Sequence, residues 1–114
     1  MGKGDILGEF ELYILAALQQ LGDDAYGVTI RDEIERRTGR VASFGAVYAT
    51  LERLGRKGLV SFWISEPQPV QGGRARKHAR LTPAGLRTLR NSVRALDRML
   101  DGLDVRLRPS GGRG

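Results

Sequence analysis

A mainly helical α+β fold is what this 114-residue sequence predicts, and three observations carry that reading. Apolar residues recur at helical spacing in four separate stretches. Two runs rich in β-formers lie between the third and fourth of them, and Gly or Pro marks most junctions. The order helix–helix–helix–strand–loop–strand–helix is more specific than any single piece. It corresponds to a winged helix-turn-helix domain over residues 1–81, then a C-terminal helix over 82–103 suited to dimerisation. Residues 104–114 are rich in Pro, Gly and Arg and are expected to form a disordered tail.

Residues 1–8 are Gly-rich and expected to fray. From about Glu9 to Gln20 the pattern is helical, with Phe10, Tyr13, Ile14, Ala17, Leu18 and Leu21 on a wide stripe. Leu12, Leu15 and Ala16 extend the apolar cover almost all round. A helix apolar on most sides is buried on most sides. In so short a chain, either a partner subunit covers one side or the helix is the central post of its own core. Gly22-Asp23-Asp24 ends this helix, and Asp23 or Asp24 is placed to cap the next. There Tyr26, Ile30 and Ile34 repeat every four residues, the narrow stripe of a surface helix running to about Arg37. Arg31, Asp32, Glu33, Glu35, Arg36 and Arg37 are read as facing water. Arg36, Arg37 and Arg40 also lie near the helix end, within reach of a phosphate, although a solvated face explains them better. Gly39 closes the helix.

Ser43 is the expected N-cap of the third helix, which buries Val47, Leu51 and Leu54 and stops at Gly58. Its opposite side carries Gly45, Ala49, Glu52 and Arg56, flanked by Ala46, Tyr48 and Arg53. Small residues near a helix start let the backbone approach a flat polyanion while arginines further along reach past it. That is the geometry of a helix entering the major groove of double-stranded DNA by its N-terminal half. Leu59–Ser65 and Ala75–Leu81 read as the two strands of a hairpin, joined by an irregular loop over Glu66–Gly73. Arg74, Arg76 and Lys77 at its turn would touch the flanking DNA backbone. Trp63 is read as an anchor of the first strand, and His78 as a strand surface residue. Thr82-Pro83 starts the last helix. Its Leu86, Leu89, Val93, Leu96, Leu100 and Leu103 follow at spacings of three and four, an a/d seam ringed by arginines. The seam either folds back on its own domain or, with Phe10, Tyr13 and Ile14 of the first helix, forms a homodimer interface. The amount of apolar surface favours the dimer.

Charge agrees with this layout. Residues 1–42 carry a net −3, residues 43–80 +5 and residues 81–114 +4. A basic excess confined to the third helix, the hairpin and the last helix is a footprint for a phosphate backbone. The sequence has no cysteine and a single His, so it offers no disulfide and no metal-ligand cluster, and no cofactor is expected. No His-paired nucleophile or phosphate-cradling Gly-rich loop points to an enzyme. No run of about 18 apolar residues and no signal-peptide pattern occurs, so a cytoplasmic protein is expected.

The blocks E-F-E-L-Y-I-L-A-A-L, A-Y-G-V-T-I-R-D-E-I, G-A-V-Y-A-T-L-E-R-L with K-G-L-V, and G-G-R-A-R-K-H-A-R-L-T-P-A-G resemble the PadR family of bacterial transcriptional regulators, across roughly residues 7–103. The resemblance is to the shorter branch of the family, with a single C-terminal helix. It implies a homodimeric repressor of a palindromic operator near a promoter, in some members released by a small aromatic or drug-like molecule. It also implies a Tyr48 hydroxyl on a phosphate, with Arg74, Arg76 and Lys77 on the DNA backbone or minor groove. Arg53 and Arg56 can take phosphates or a guanine edge. Arg56 has a rival partner in Glu52, so Arg53 is the stronger candidate. Ser43 and Thr50 are placed to reach the DNA backbone, although capping alone accounts for Ser43. Two positions depart from the family pattern. His78-Ala79 stands where an aromatic pair is common, and Gly55 where a Glu usually follows R-L. Two other classes of reading compete: a basic module for RNA, and a winged helix that binds only a protein partner.

Overall fold

The computed structural model describes residues 7–66 and 75–103. Four helices and one hairpin follow in the order α1 (Glu9–Leu21), α2 (Gly27–Thr38), α3 (Phe44–Arg56), β1 (Val60–Ile64), β2 (Lys77–Leu81) and α4 (Pro83–Leu100), with a 3₁₀ turn at Gly22–Asp24. The loop expected over Glu66–Gly73, the wing residue Arg74 and the tail 104–114 lie, apart from Glu66, outside the described residues, as do residues 1–6.

The core is built round α1. Ile14, Leu15, Ala17 and Leu18 are buried on it, against Ile30 and Ile34 of α2 and Val47, Leu51 and Leu54 of α3. Val60 and Ala79 of the hairpin and Leu89 of α4 complete the cluster. Helices α2, α3 and α4 and strand β2 all pack on α1. Of the two readings of the apolar first helix, the central post is therefore the one observed. Ile14, expected on a dimer surface, has no exposed area and belongs to the protomer's own core. Leu89 is buried in the same way, so the first turns of the α4 seam serve the domain itself.

The start of α2 differs from the expectation that Asp23 or Asp24 caps it. The N-cap is Tyr26, whose N–H donates to Thr29 Oγ1 at 3.0 Å, while the Thr29 hydroxyl donates to the Asp24 carbonyl. The reason lies in the sheet. Ala25 is extended, its carbonyl accepts from the Ala79 N–H at 2.9 Å, and Tyr26 bridges His78. A segment paired to β2 cannot also be the first turn of a helix, so the helix starts two residues later. Helix α3 follows expectation: Ser43 Oγ accepts from the Ala46 N–H at 3.0 Å, and Gly58 takes φ 79° beyond the last turn.

Strands β1 and β2 pair antiparallel from Val60↔Leu81 to Ile64↔Lys77. Thr82 then fixes the start of α4 twice over, accepting from the Gly85 N–H and donating to the Gly58 carbonyl at 2.7 Å. The helix stops at Leu100, and Gly102 at φ 84° turns the chain. Leu103, expected to close the a/d seam, thus lies past the helix. From Asn91 onward no residue of α4 is buried, so its second half runs clear of the core. Among the described residues no helix is long and apolar enough to cross a membrane.

Gly85 sits where α4 meets the chain leaving α3. A Cβ there would lie 2.0 Å from the backbone carbonyl oxygen of Leu59, which has no rotamer to yield with. Gly85→Ala is expected to cost about 3 kcal/mol by overpacking, read as a lowered urea midpoint with an unchanged m-value.

Candidate nucleic-acid interface

Helix α3 divides into two faces because its apolar residues recur every three to four positions. Val47, Thr50, Leu51 and Leu54 point into the domain, and Ser43, Gly45, Ala46, Tyr48, Ala49, Glu52, Arg53 and Arg56 are exposed. Thr50 was expected to reach a DNA backbone, but only 3% of it is accessible and its hydroxyl accepts from Arg53 Nη2 at 3.3 Å. It falls on the same side of the helix as Val47 and Leu54, so the helix period itself turns it inward. Arg76 and Lys77 are exposed at the base of the hairpin, on the same chain segment as the Arg74 that lies outside the described residues.

A carboxylate beneath α3 sets its seat. Glu11 of α1 is buried, with only 9% of its side chain accessible. Its Oε1 accepts from the Gly8 N–H at 3.1 Å, and its Oε2 from Arg53 Nε at 3.2 Å and Lys57 Nζ at 3.1 Å. Burial pushes this carboxyl's pKa up. The Gly8 N–H, Lys57 and Arg53 together outweigh that effect and hold it below its usual 4.5. Arg53 therefore has two protein partners and a committed orientation. Arg56, ranked second on sequence because of Glu52, does meet Glu52 at 3.8 Å, but both side chains are exposed and the pair is weak. Arg56 is thus the freer of the two to exchange its partner for a phosphate.

The N-terminal end of α3 carries two aromatics, Tyr48, expected on a phosphate, and Phe44, to which the sequence reading gave no role. Phe44 and Tyr48, one turn apart, stack with centroids 6.5 Å apart. The guanidinium of Arg31, from α2, lies 4.5 Å over the Phe44 ring. The Tyr48 phenol rests on Gly27 so closely that a Cβ at Gly27 would stand 2.2 Å from its hydroxyl oxygen. Arg31, read as merely solvated, is in fact half-buried and braces Phe44. Only the i, i+4 spacing of Phe44 and Tyr48 signals any of this in the sequence, since Gly27 and Arg31 belong to another helix.

The hairpin is anchored by a ladder of rings. Trp63 stacks on His78 at 4.2 Å, and His78 meets Tyr26 edge-on at 5.3 Å. Arg80 caps the Trp63 end at 5.3 Å and Arg76 the Tyr26 end at 4.7 Å. His78 is buried rather than on the strand surface as expected. The bridge at Tyr26 covers the edge of β2 that a two-stranded hairpin would leave open. The departure at Gly55 also has a packing reason, since a Cβ there would press on Phe62 at 3.0 Å.

Comparison with known proteins places this arrangement among transcriptional regulators. The model of the transcriptional regulator PadR-like family matches residues 14–91. The transcriptional regulator Rv3488 of Mycobacterium tuberculosis is 39% identical over 77 residues, which span 68% of this chain and 67% of that one. A PadR family transcription regulator from hypervirulent Clostridium difficile superposes with a TM-score of 0.63 at 25% identity, covering 82% of this chain and 95% of that chain. A PadR-like transcription factor from Bacteroides fragilis gives 0.66 at 23% identity, covering 79% and 82%, and so attests the fold.

Two substitutions test how α3 is held. Glu11→Gln removes the charge that Arg53 and Lys57 share and is expected to cost about 1–2 kcal/mol at pH 7, since Arg53 is half exposed. A carboxyl held below 4.5 stabilises fully above that value and loses its contribution as pH falls through the lower folded one. Urea unfolding of the two proteins should therefore converge as pH falls below 4.5. Gly27→Ala displaces only the far end of the Tyr48 side chain. It is expected to leave thermal unfolding within a few degrees while weakening duplex binding about tenfold, measured by fluorescence anisotropy.

Proposed function

The chain belongs to the PadR-like family of transcriptional regulators, and on that premise we propose that it works as a homodimeric repressor occupying a palindromic operator. One observation carries the dimer. The apolar stripe of α4 begins inside the domain at Leu89 and continues uncovered through Val93, Leu96 and Met99, with Leu103 just beyond. Three large apolar side chains open on one projecting helix, with a fourth just past its end, need a cover, and a second copy supplies the same stripe in return. Phe10 and Tyr13 of α1, both half-buried, flank that interface in this reading.

Two α3 helices related by a two-fold axis would then enter successive major grooves about 34 Å apart. Exposed Arg56, Arg76 and Lys77, with the Tyr48 hydroxyl and the backbone near Ser43 and Gly45, meet the phosphates. Arg74 adds to them in this reading. Occupying a promoter blocks polymerase. A small molecule that changes the crossing of the two α4 helices changes the α3 separation, and so releases the operator. The basic footprint supports a phosphate backbone as the partner, and the match to transcriptional regulators supports duplex DNA over RNA.

Leu96→Glu tests this reading. The side chain is 48% exposed in the protomer, so the fold does not depend on it. Sedimentation is expected to give a dimer for the natural sequence and a folded monomer for the variant. The same variant should lose at least a hundredfold in affinity for a selected duplex. With about six phosphates neutralised per dimer, log affinity of the natural protein should fall with log salt at a slope of about −5. A monomeric natural protein, or a flat salt dependence, overturns the proposal.

A further inference from the structure

The leading half of α3 presents no side chain free to hydrogen-bond a base edge. Ser43 commits its hydroxyl to the cap, and Thr50 is buried. Gly45, Ala46 and Ala49 have no polar side-chain atom, and the Tyr48 hydroxyl is taken by the phosphate it meets in the reading above. The first hydrogen-bonding side chain on the outward face is Glu52, already opposite Arg56. What this half does present is Phe44, the first residue of the helix, with 41% of its area open. A ring left open at a helix start adds nothing to the core. Here it nevertheless has two neighbours that restrict it, the Arg31 guanidinium at 4.5 Å and the Tyr48 ring at 6.5 Å. The exposure is thus held in place by neighbours rather than left to chance, which gives the open edge one direction.

Among the groups that base pairs display in the major groove, one is apolar: the 5-methyl of thymine. We infer that this chain selects its sites through thymine methyl groups met by the ring of Phe44, with Arg31 as the positioning residue that fixes the ring. Gly45 and Ala49 contribute by their lack of bulk, letting the helix come near enough for the ring to arrive. The inference rests on the DNA-binding reading above, and it deepens that reading by naming what α3 looks for.

The test uses the full chain and a duplex selected by it from a random pool. Thymines of that duplex are replaced one at a time by deoxyuridine, which keeps every hydrogen bond and removes only the methyl. The natural protein is expected to lose about fourfold in affinity at one or two positions of each half-site, the worth of one buried methyl-sized group. Phe44→Ala should bind the thymine duplex more weakly by a similar factor and no longer distinguish thymine from deoxyuridine there. Arg31→Gln should lower the same ratio, which a role confined to stability would leave untouched. Each protein is compared with itself, so a partly unfolded preparation cancels from the ratio. Equal binding of both duplexes by the natural protein, or a ratio that survives Phe44→Ala, overturns the methyl reading while DNA binding stands. Failure to bind any duplex overturns both.

Discussion

The seat of α3 on α1 is the constraint on which the rest of the molecule depends. Val47, Leu51 and Leu54 keep the helix from rolling, because any rotation would bring an apolar side chain into water. They do little to stop it sliding along its axis. Glu11 does that. Arg53 of α3 and Lys57, the residue that caps its end, stand one turn apart, and a single buried carboxylate oxygen accepts from both. A shift of one turn would remove at least one of these donors from the carboxylate, and a buried charge left short of partners is costly. Because Arg53 is half exposed, the cluster contributes modest bulk stability. Its larger effect is on register: it fixes which residues of α3 stand at the leading edge.

The hairpin is tied to the same frame through Tyr26. That residue begins α2, pairs with β2 and meets the ring of His78, and it carries Arg76 on its other face. The base of the basic hairpin therefore moves with α2, and α2 holds Phe44 and Tyr48 of α3 through Arg31 and Gly27. Cationic groups from two separate segments keep a fixed spacing as a result. A phosphate backbone is a periodic lattice of charge, so a set of cations binds it well only if its own spacing is held.

What could be read in the sequence was whatever depends on near neighbours along the chain. The two faces of α3, its cap at Ser43, its stop at Gly58 and the Thr82-Pro83 start of α4 are all set by spacings of one to four residues. The features that escaped depend on pairs brought together by the fold. Glu11 and Arg53 are 42 positions apart, and nothing in the run E-F-E-L-Y distinguishes a carboxylate that will be buried from one that will be solvated. The burial of His78 required knowing that Ala25 and Tyr26 would join the sheet. Leu89 and Leu96 look alike in the a/d pattern, yet one is in the core and the other open, because the domain is shorter than the helix. Periodicity shows which face of a helix is apolar and carries no information about how far along that face the core extends.

That mismatch between helix and core links the proposed dimer to the proposed readout. A single α3 presents few uncommitted cations, since Arg53 is held by Glu11 and Arg56 faces Glu52. One protomer would release few counterions and hold a duplex weakly. Pairing two copies through α4 doubles the exponent of the salt law and covers Val93, Leu96 and Met99 in the same step. The path from interface to α3 is short and stiff, because α4 packs on α1 and α1 carries the Glu11 that fixes α3. In the proposed dimer, a change in how two α4 helices cross would therefore reach the two α3 helices through α1. A buried, close-packed connection of this kind transmits displacement with little loss.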